Sequence, residues 1–149
     1  GQVQWDFSPG VGAFTTGGVN GLPSTLWLDF YPGDAYVDYI GSEIYNLSPT
    51  DVRAVQDSPA FTNWYGQAST RGKPLILSET GAIDNAGVPI SPQKKWFYTL
   101  GASAAAMFPN IKALVVFDVN GAGGDFRLTG NGEVGFISLS SRVYFSKMK

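Results

Sequence analysis

The sequence predicts an α/β fold in which helices connect the strands of a parallel sheet. Short apolar runs bounded by glycine or proline start about 35 residues apart, which is typical of strands. Two of the intervening segments begin with Ser-Pro and repeat aromatic side chains at helical spacing. Strands that alternate with helices at such intervals favour parallel βα units over hairpins.

Four strands are predicted. They cover residues 3–8, 36–46, 74–79 and 112–117. The first alternates apolar and polar residues before Pro9-Gly10, and the third is a short apolar run that leads into Glu79. Residues 10–24 are rich in Gly, Thr, Asn and Ser, which indicates a long surface loop.

Helix signals follow the second and third strands. Ser48-Pro49 predicts a short helix, and Ser58-Pro59 opens another that ends near Gly72. Ser91-Pro92 begins a longer helix over residues 92–107 with Trp96, Leu100 and Met107 on one stripe. Trp64 and Trp96 are expected to pack between helix and sheet. For the tail we expect a loop followed by a helix within 138–148, with a hairpin at 130–132 as the alternative.

Composition excludes several kinds of chemistry. The 149 residues suit one domain and contain neither cysteine nor histidine, so disulfides, thiol catalysis, Cys/His zinc sites and histidine-dependent triads are excluded within this chain. The net charge of −2 indicates no nucleic-acid partner. Only 15% of residues are charged, which without cysteine fits an extracellular or cell-surface protein. No apolar stretch is long enough to span a membrane, and no signal peptide is recognisable.

Polar and aromatic side chains gather where the predicted strands end, and parallel α/β sheets place ligands there. The residues concerned are Trp5 with Asp6, Glu43 with Tyr45, Glu79, and Asp118 with Asn120. Carboxylates beside tyrosine and tryptophan, without a phosphate loop or a dinucleotide fingerprint, indicate a sugar ligand. Glycoside hydrolysis requires only carboxylates, so it needs no cofactor or metal.

Four of these residues also have a structural interpretation. In this interpretation Glu79 is a hydrogen-bonded carboxylate that holds the next loop, and Tyr45 is an ordinary aromatic residue of a strand. Trp5 then packs in the core, and Asp118 caps a loop. Asn46-Leu47-Ser48 is a glycosylation sequon of a kind that is frequent by chance.

Five segments resemble glycoside hydrolase family 26. Residues 31–41, YPGDAYVDYIG, followed by Tyr45-Asn46, are similar to that family's YPGDxYVDxxG…YN segment, and KPLILSETGA is similar to its nucleophile strand. VQWDFSP, residues 108–114 and Asp125-Phe126-Arg127 resemble further segments in the same order.

The resemblance implies a glycoside-hydrolase-like domain over residues 1–149, equivalent to about strands five to eight of a (β/α)8 TIM barrel. It implies retaining cleavage of β-1,4-mannan or a related β-glycan by the complete form. Glu79 is then the nucleophile and Tyr45 the residue that orients it, with Trp5, Glu43 and Asp118 contacting the polysaccharide substrate. Two positions depart from the family: Val116 stands where a sugar-stacking tryptophan is usual, and Asp118 stands where asparagine is expected.

Length limits what this chain does alone. A whole barrel takes about 250 residues, and the family's general acid/base glutamate lies on its fourth strand, which this chain is expected to lack. We therefore expect a partner that completes the barrel, either the missing N-terminal half of a longer protein or a second chain. The alternative is a non-catalytic carbohydrate-binding or structural cell-surface protein on the same scaffold. The isolated chain is expected to be inactive.

Overall fold

A four-stranded parallel sheet forms the centre of the fold. The computed structural model describes residues 3–14, 26–84, 89–121 and 123–141. The strands are β1 (Asp6–Phe7), β2 (Tyr39–Asn46), β3 (Leu75–Ala82) and β4 (Ile111–Val116). They lie side by side in chain order, and every neighbouring pair is parallel. The predicted α/β class with parallel βα units is confirmed.

Four α-helices lie in the described part of the chain. They are α1 (Leu26–Phe30), α2 (Pro59–Ala68), α3 (Pro92–Met107) and α4 (Asn131–Ser140), with 3-10 turns at Val11–Phe14, Val55–Asp57 and Ser69–Arg71. The hydroxyls of Ser58 and Ser91 cap α2 and α3 by accepting from the Phe61 and Lys94 backbone N–H groups. The predicted starts of both helices are therefore confirmed. Gly72, at φ 68°, ends the turn that follows α2.

The helix predicted at Ser48-Pro49 is wrong. The Ser48 backbone N–H donates to Asn46 Oδ1 at 3.3 Å, and the first helical turn after β2 is the 3-10 turn at Val55–Asp57. A side chain that bonds the backbone locally offers it an alternative to the helix, and Asn46 does so here.

One face of the sheet, which we call the covered face, packs against the helices. Its residues on the three longer strands include Ile40, Ile44, Leu75, Leu77, Thr80, Leu114 and Val116. Trp64 and Trp96 are buried in this layer as predicted, and Trp96 Nε1 donates to Thr80 Oγ1 at 3.1 Å. Met107 does not follow Trp96 and Leu100 into the core: it is 54% exposed, because the apolar stripe ends with Ala104.

The opposite face, which we call the open face, carries the polar side chains. Along β2, Gly41, Glu43 and Tyr45 alternate with the covered residues, as the two-residue period of a strand requires. Glu43 is exposed, and Tyr45 is partly exposed. β4 was predicted to be buried, but its Val115 is 50% exposed, because β4 is an edge strand and Val115 lies on the open face.

The tail differs from the prediction in its boundaries. Asn120–Gly121 (β5) and Gly124–Asp125 (β6) form a short antiparallel pair, and α4 begins at Asn131, where the hairpin alternative was placed. α4 packs closely on α3, since a Cβ at Gly135 would lie 2.8 Å from the Lys94 Cα. Residues 142–148 of the predicted final helix lie outside the described residues. None of the described helices is long and apolar enough to cross a membrane.

Candidate active site on the open face

Glu79 and Tyr45 meet on the open face. The Tyr45 hydroxyl on β2 donates a hydrogen bond to Oε2 of Glu79 on the neighbouring strand β3. Both side chains are partly exposed, so a ligand on the open face reaches them. The structure therefore joins the two residues for which the sequence predicted a nucleophile and its orienting hydroxyl.

An extra residue in β3 turns Glu79 to this face. In the register with β2, Leu77 lies opposite Ser42 and Glu79 lies opposite Glu43, so Ser78 has no partner. On the β4 side, Ser78 and Glu79 together occupy the step between Leu77 and Thr80, opposite the single residue Val115. This is a β-bulge, which commonly redirects a side chain beside a functional site. Leu77 and Thr80 face the helices, whereas Ser78 and Glu79 both face the other way.

Aromatic rings fix the Tyr45 side chain. The Phe117 and Phe126 rings stand edge-on to it, with centroids 5.9 Å and 5.4 Å away. Gly81 is the register partner of Tyr45, and a Cβ there would lie 3.1 Å from the Phe126 ring and 3.3 Å from the Tyr45 ring. A methyl group at this position would therefore press on both rings. The sequence prediction did not include either phenylalanine, although Phe126 belongs to the Asp125-Phe126-Arg127 segment that carried the resemblance.

The Tyr45 phenol is a firm hydrogen-bond donor. Desolvation raises its pKa above the ordinary tyrosine value, and the hydrogen bond to Glu79 and the negative charges of Glu79 and Glu43 raise it further. The proton therefore stays on the phenol throughout the physiological range. A donor that does not ionise holds one carboxylate oxygen in place while the other stays available.

Glu43 lies beside Glu79 on the open face, since the two are register partners on adjacent strands. Its side chain is exposed, so it meets solvent or a bound ligand. The structure thus brings Glu43, Tyr45 and Glu79 together. Within the described ranges, no group of three or more carboxylates, histidines or cysteines is arranged to hold a metal ion.

Trp5 is not part of this cluster. Its carbonyl accepts from the backbone N–H groups of Asp38 and Tyr39, level with the start of β2, whereas Glu79 is level with Glu43. Four residues of strand separate the two levels, which is about 13 Å. Trp5 also alternates with Asp6, whose carboxylate faces the open side. The indole is 65% exposed, so it does not fill the core either.

Asp118 has a structural partner. Its Oδ1 accepts from the Leu128 backbone N–H at 2.9 Å, which ties the end of β4 to the loop before α4. The residue is otherwise exposed, so its predicted contact with substrate stays a prediction. Asn46, in the sequon, is buried and donates through Nδ2 to the Asp51 carbonyl at 2.7 Å. That side-chain nitrogen is not accessible for glycosylation in this fold.

Val116 explains one departure from the family pattern. Its side chain packs against the core on the covered face, and Phe117 is the aromatic residue beside Tyr45. A tryptophan at position 116 would point into the helix layer in this chain. The absence of tryptophan there is therefore not a loss of an aromatic surface on the open face.

Comparisons with known proteins agree with the motifs. A mannan endo-1,4-beta-mannosidase of Bifidobacterium adolescentis is 30% identical over 125 residues, which is 76% of this chain and 12% of that protein. No protein-family model matches the chain.

Two solved structures have a similar fold. One is an endo-beta-1,4-mannanase double mutant from Cellulomonas fimi, with a TM-score of 0.59 and 20% identity over 95% of this chain and 31% of that one. The other, a modular endo-beta-1,4-mannanase from Cellulomonas fimi, was described as a glycoside hydrolase family 26 mannanase, and has a TM-score of 0.56 and 21% identity over 93% of this chain and 30% of that one. This chain thus spans less than a third of the length of each of these relatives. The sequence motifs and the curated relative identify the chain as a member of glycoside hydrolase family 26, and its fold is part of a (β/α)8 barrel.

Proposed function

We propose that the protein containing this chain is a retaining glycoside hydrolase that cleaves β-1,4-mannan or a closely related β-glycan. The contact between the Tyr45 hydroxyl and the Glu79 carboxylate on the open face carries the proposal. The similarity to a mannan endo-1,4-beta-mannosidase supports the substrate class.

In this mechanism Glu79 is the nucleophile. Its free carboxylate oxygen attacks the anomeric carbon of the bound sugar and forms a covalent glycosyl-enzyme, which water then hydrolyses. Tyr45 donates to the other oxygen and holds the carboxylate at the angle of attack. Because the donor is neutral, it orients the carboxylate without cancelling its charge. Glu43, exposed beside Glu79, bonds sugar hydroxyl groups, and the exposed Asp118 and Trp5 contact the polysaccharide outside this cluster.

The acid/base of the reaction comes from the rest of the barrel. A retaining enzyme needs a second carboxyl group about 5 Å from the nucleophile, to protonate the leaving oxygen and then activate water. We assign this group to a glutamate on a strand that completes the barrel over the open face, supplied by the same protein or by a second chain. Glu79 is then one half of a catalytic pair.

Substitution of Glu79 in the full-length protein tests the nucleophile. We expect Glu79→Ala to reduce turnover of β-mannan by at least about a thousandfold with little loss of stability, because the side chain lies on the accessible face. The exposed Glu133 in α4 offers a matched control, and Glu133→Ala should leave turnover unchanged.

Azide distinguishes the role of Glu79 from other carboxylate roles. With an activated aryl β-mannoside, azide should restore turnover of Glu79→Ala and yield the α-mannosyl azide, because azide enters from the side that the nucleophile normally occupies. A β-mannosyl azide would instead make Glu79 the acid/base. Turnover equal to that of the unsubstituted protein would contradict the assignment.

We also propose that the protein acts outside the cell or at its surface, because an intact polysaccharide does not cross a membrane. The test is the distribution of mannan-cleaving activity between washed cells, culture fluid and cell lysate. Activity confined to the lysate would refute this location.

A further inference from the structure

The carboxylate of Asp6 reaches across the sheet to the extra residue of β3. Ser78 Oγ donates to Asp6 Oδ2 at 2.6 Å, although β1 and β3 are separated by β2. The bond connects residues 72 positions apart in the chain. It is the kind of short hydrogen bond that a charged acceptor makes.

Gly41 makes this bridge possible. It is the residue of β2 that lies beneath the contact, and it is buried. A Cβ at Gly41 would overlap the Ser78 hydroxyl and would lie 2.7 Å from each carboxylate oxygen of Asp6. Any other residue at position 41 would therefore push Asp6 and Ser78 apart.

We propose that Asp6 and Ser78, in contact over Gly41, are positioning residues that hold the β-bulge of β3 and so keep Glu79 on the open face beside Tyr45. The inference rests on the proposed role of Glu79 as the nucleophile. None of the three residues touches the substrate in this account.

The bulge needs such a support because regular alternation would send Glu79 elsewhere. Leu77 faces the helices, so in an unbroken strand Glu79 would face them too, next to the buried Trp96. A carboxylate there would be desolvated without a partner, so the regular register is costly. In the bulged register, Ser78 has no register partner on β2 or on β4. The hydrogen bond to Asp6 gives its hydroxyl a partner on the open face.

Two substitutions remove the bridge, and one retains it. In the full-length protein we expect Ser78→Ala and Asp6→Ala each to lower kcat on β-mannan about tenfold, with KM changed by less than about twofold, because small misplacements of a reacting group reduce the rate of the chemical step. Asp6→Asn keeps an acceptor oxygen for Ser78 and should retain at least about half of kcat. Ser140→Ala, on the exposed end of α4, is the control and should have no effect.

A second readout does not depend on activity. If Glu79 moves, Tyr45 loses its carboxylate acceptor, so its alkaline ionisation should shift towards the ordinary tyrosine value. Ultraviolet titration of Ser78→Ala is compared with that of the double variant that also carries Tyr45→Phe. The difference between the two curves is the absorbance change due to ionisation of Tyr45. Gly41→Ala should produce the same shift, whereas Gly66→Ala, where a Cβ meets nothing within 4 Å, should not.

The two readouts separate failure of this inference from failure of the proposed function. Full kcat together with unchanged Tyr45 ionisation in Ser78→Ala would overturn the positioning role. An unsubstituted protein that does not cleave β-mannan would refute the proposed substrate, and the Tyr45 titration would then decide the positioning role by itself. A shift in Ser78→Ala but not in Ser140→Ala supports the bridge in either case.

Discussion

The two faces of the sheet differ in what their side chains do. The covered face buries aliphatic and aromatic side chains against the helices, and some of its polar groups bond one another, as where Trp96 donates to Thr80 and Thr80 donates to the Ile44 carbonyl. The open face carries several carboxylates, a phenol and glycines that leave room for them. The side chains that stabilise the fold lie mainly on the covered face, and the candidate catalytic residues lie on the open face.

Neighbouring strands show how the chain reaches this division. β2 alternates without interruption, so Glu43 and Tyr45 follow from its pattern. β3 does not alternate, because Ser78 is an extra residue and shifts everything after it. Of these two strands, the one with the candidate nucleophile is thus the one in which the alternation is broken, and strands commonly depart from ideal geometry beside functional sites.

The largest expected effect distinguishes a residue of α3 that is buried against the covered face from an exposed residue of the same helix. Trp96→Ala should lower the free energy of unfolding by about 3–5 kcal/mol, because it removes a fully buried indole and leaves Thr80 without a donor. Met107→Ala in the same helix should change it by less than about 0.5 kcal/mol. Urea unfolding measures both. Equal effects of the two substitutions would break the proposed division of the fold.

A smaller effect is expected at Gly81, where the open face is closely packed. Gly81→Ala should cost about 1–3 kcal/mol, because the new methyl group would press on the Tyr45 and Phe126 rings. Gly66→Ala in α2 should be neutral or stabilising, since it meets open space and alanine favours the helix. Thermal unfolding compares the pair. If Gly81→Ala is as well tolerated as Gly66→Ala, the rings around Tyr45 are not tightly packed.

The smallest expected effect is the pH dependence due to Asp6. Desolvation raises the pKa of Asp6 above 3.8, and the hydrogen bond from Ser78 opposes the rise. The folded state therefore binds this proton more tightly than the unfolded state, so the contribution to stability is present at low pH and is lost as the pH rises through the folded-state pKa. Asp6→Asn should remove the dependence. The difference in Tm between the two proteins, followed from pH 3 to 7, should therefore change through this window, whereas Ser140→Ala, which changes no titratable group, should give a constant difference. A constant difference for Asp6→Asn as well would contradict the raised pKa.

Much of the fold followed from local signals. Serine-proline caps placed α2 and α3, and apolar runs placed the strands, because capping and alternation depend on neighbours in the chain. The failures came where a specific contact decided the outcome, local in one case and between two helices in the other. Asn46 bonds the backbone of Ser48 and Asp51 in place of a helix, and α4 starts early where Gly132 and Gly135 let it approach α3.

The candidate site shows the same split. Glu79 and Tyr45 were found from their strands and motifs, and their contact agrees with the predicted pairing. Trp5 was grouped with them because it lies near the end of the predicted strand 3–8, but in the structure it is level with the beginning of β2. Register between strands depends on pairing across the sheet, and one sequence does not reveal it.

By itself the sequence determined the parallel α/β class, the family resemblance, the absence of cysteine and histidine chemistry, and the candidacy of Glu79 and Tyr45. Only the tertiary structure decided that Glu79 faces Tyr45 and not the helices. The reason is physical: the direction of a strand side chain depends on the count of residues in its ladder. Ser78 changes that count, and its position depends on Asp6 and Gly41, which are far from it in the chain.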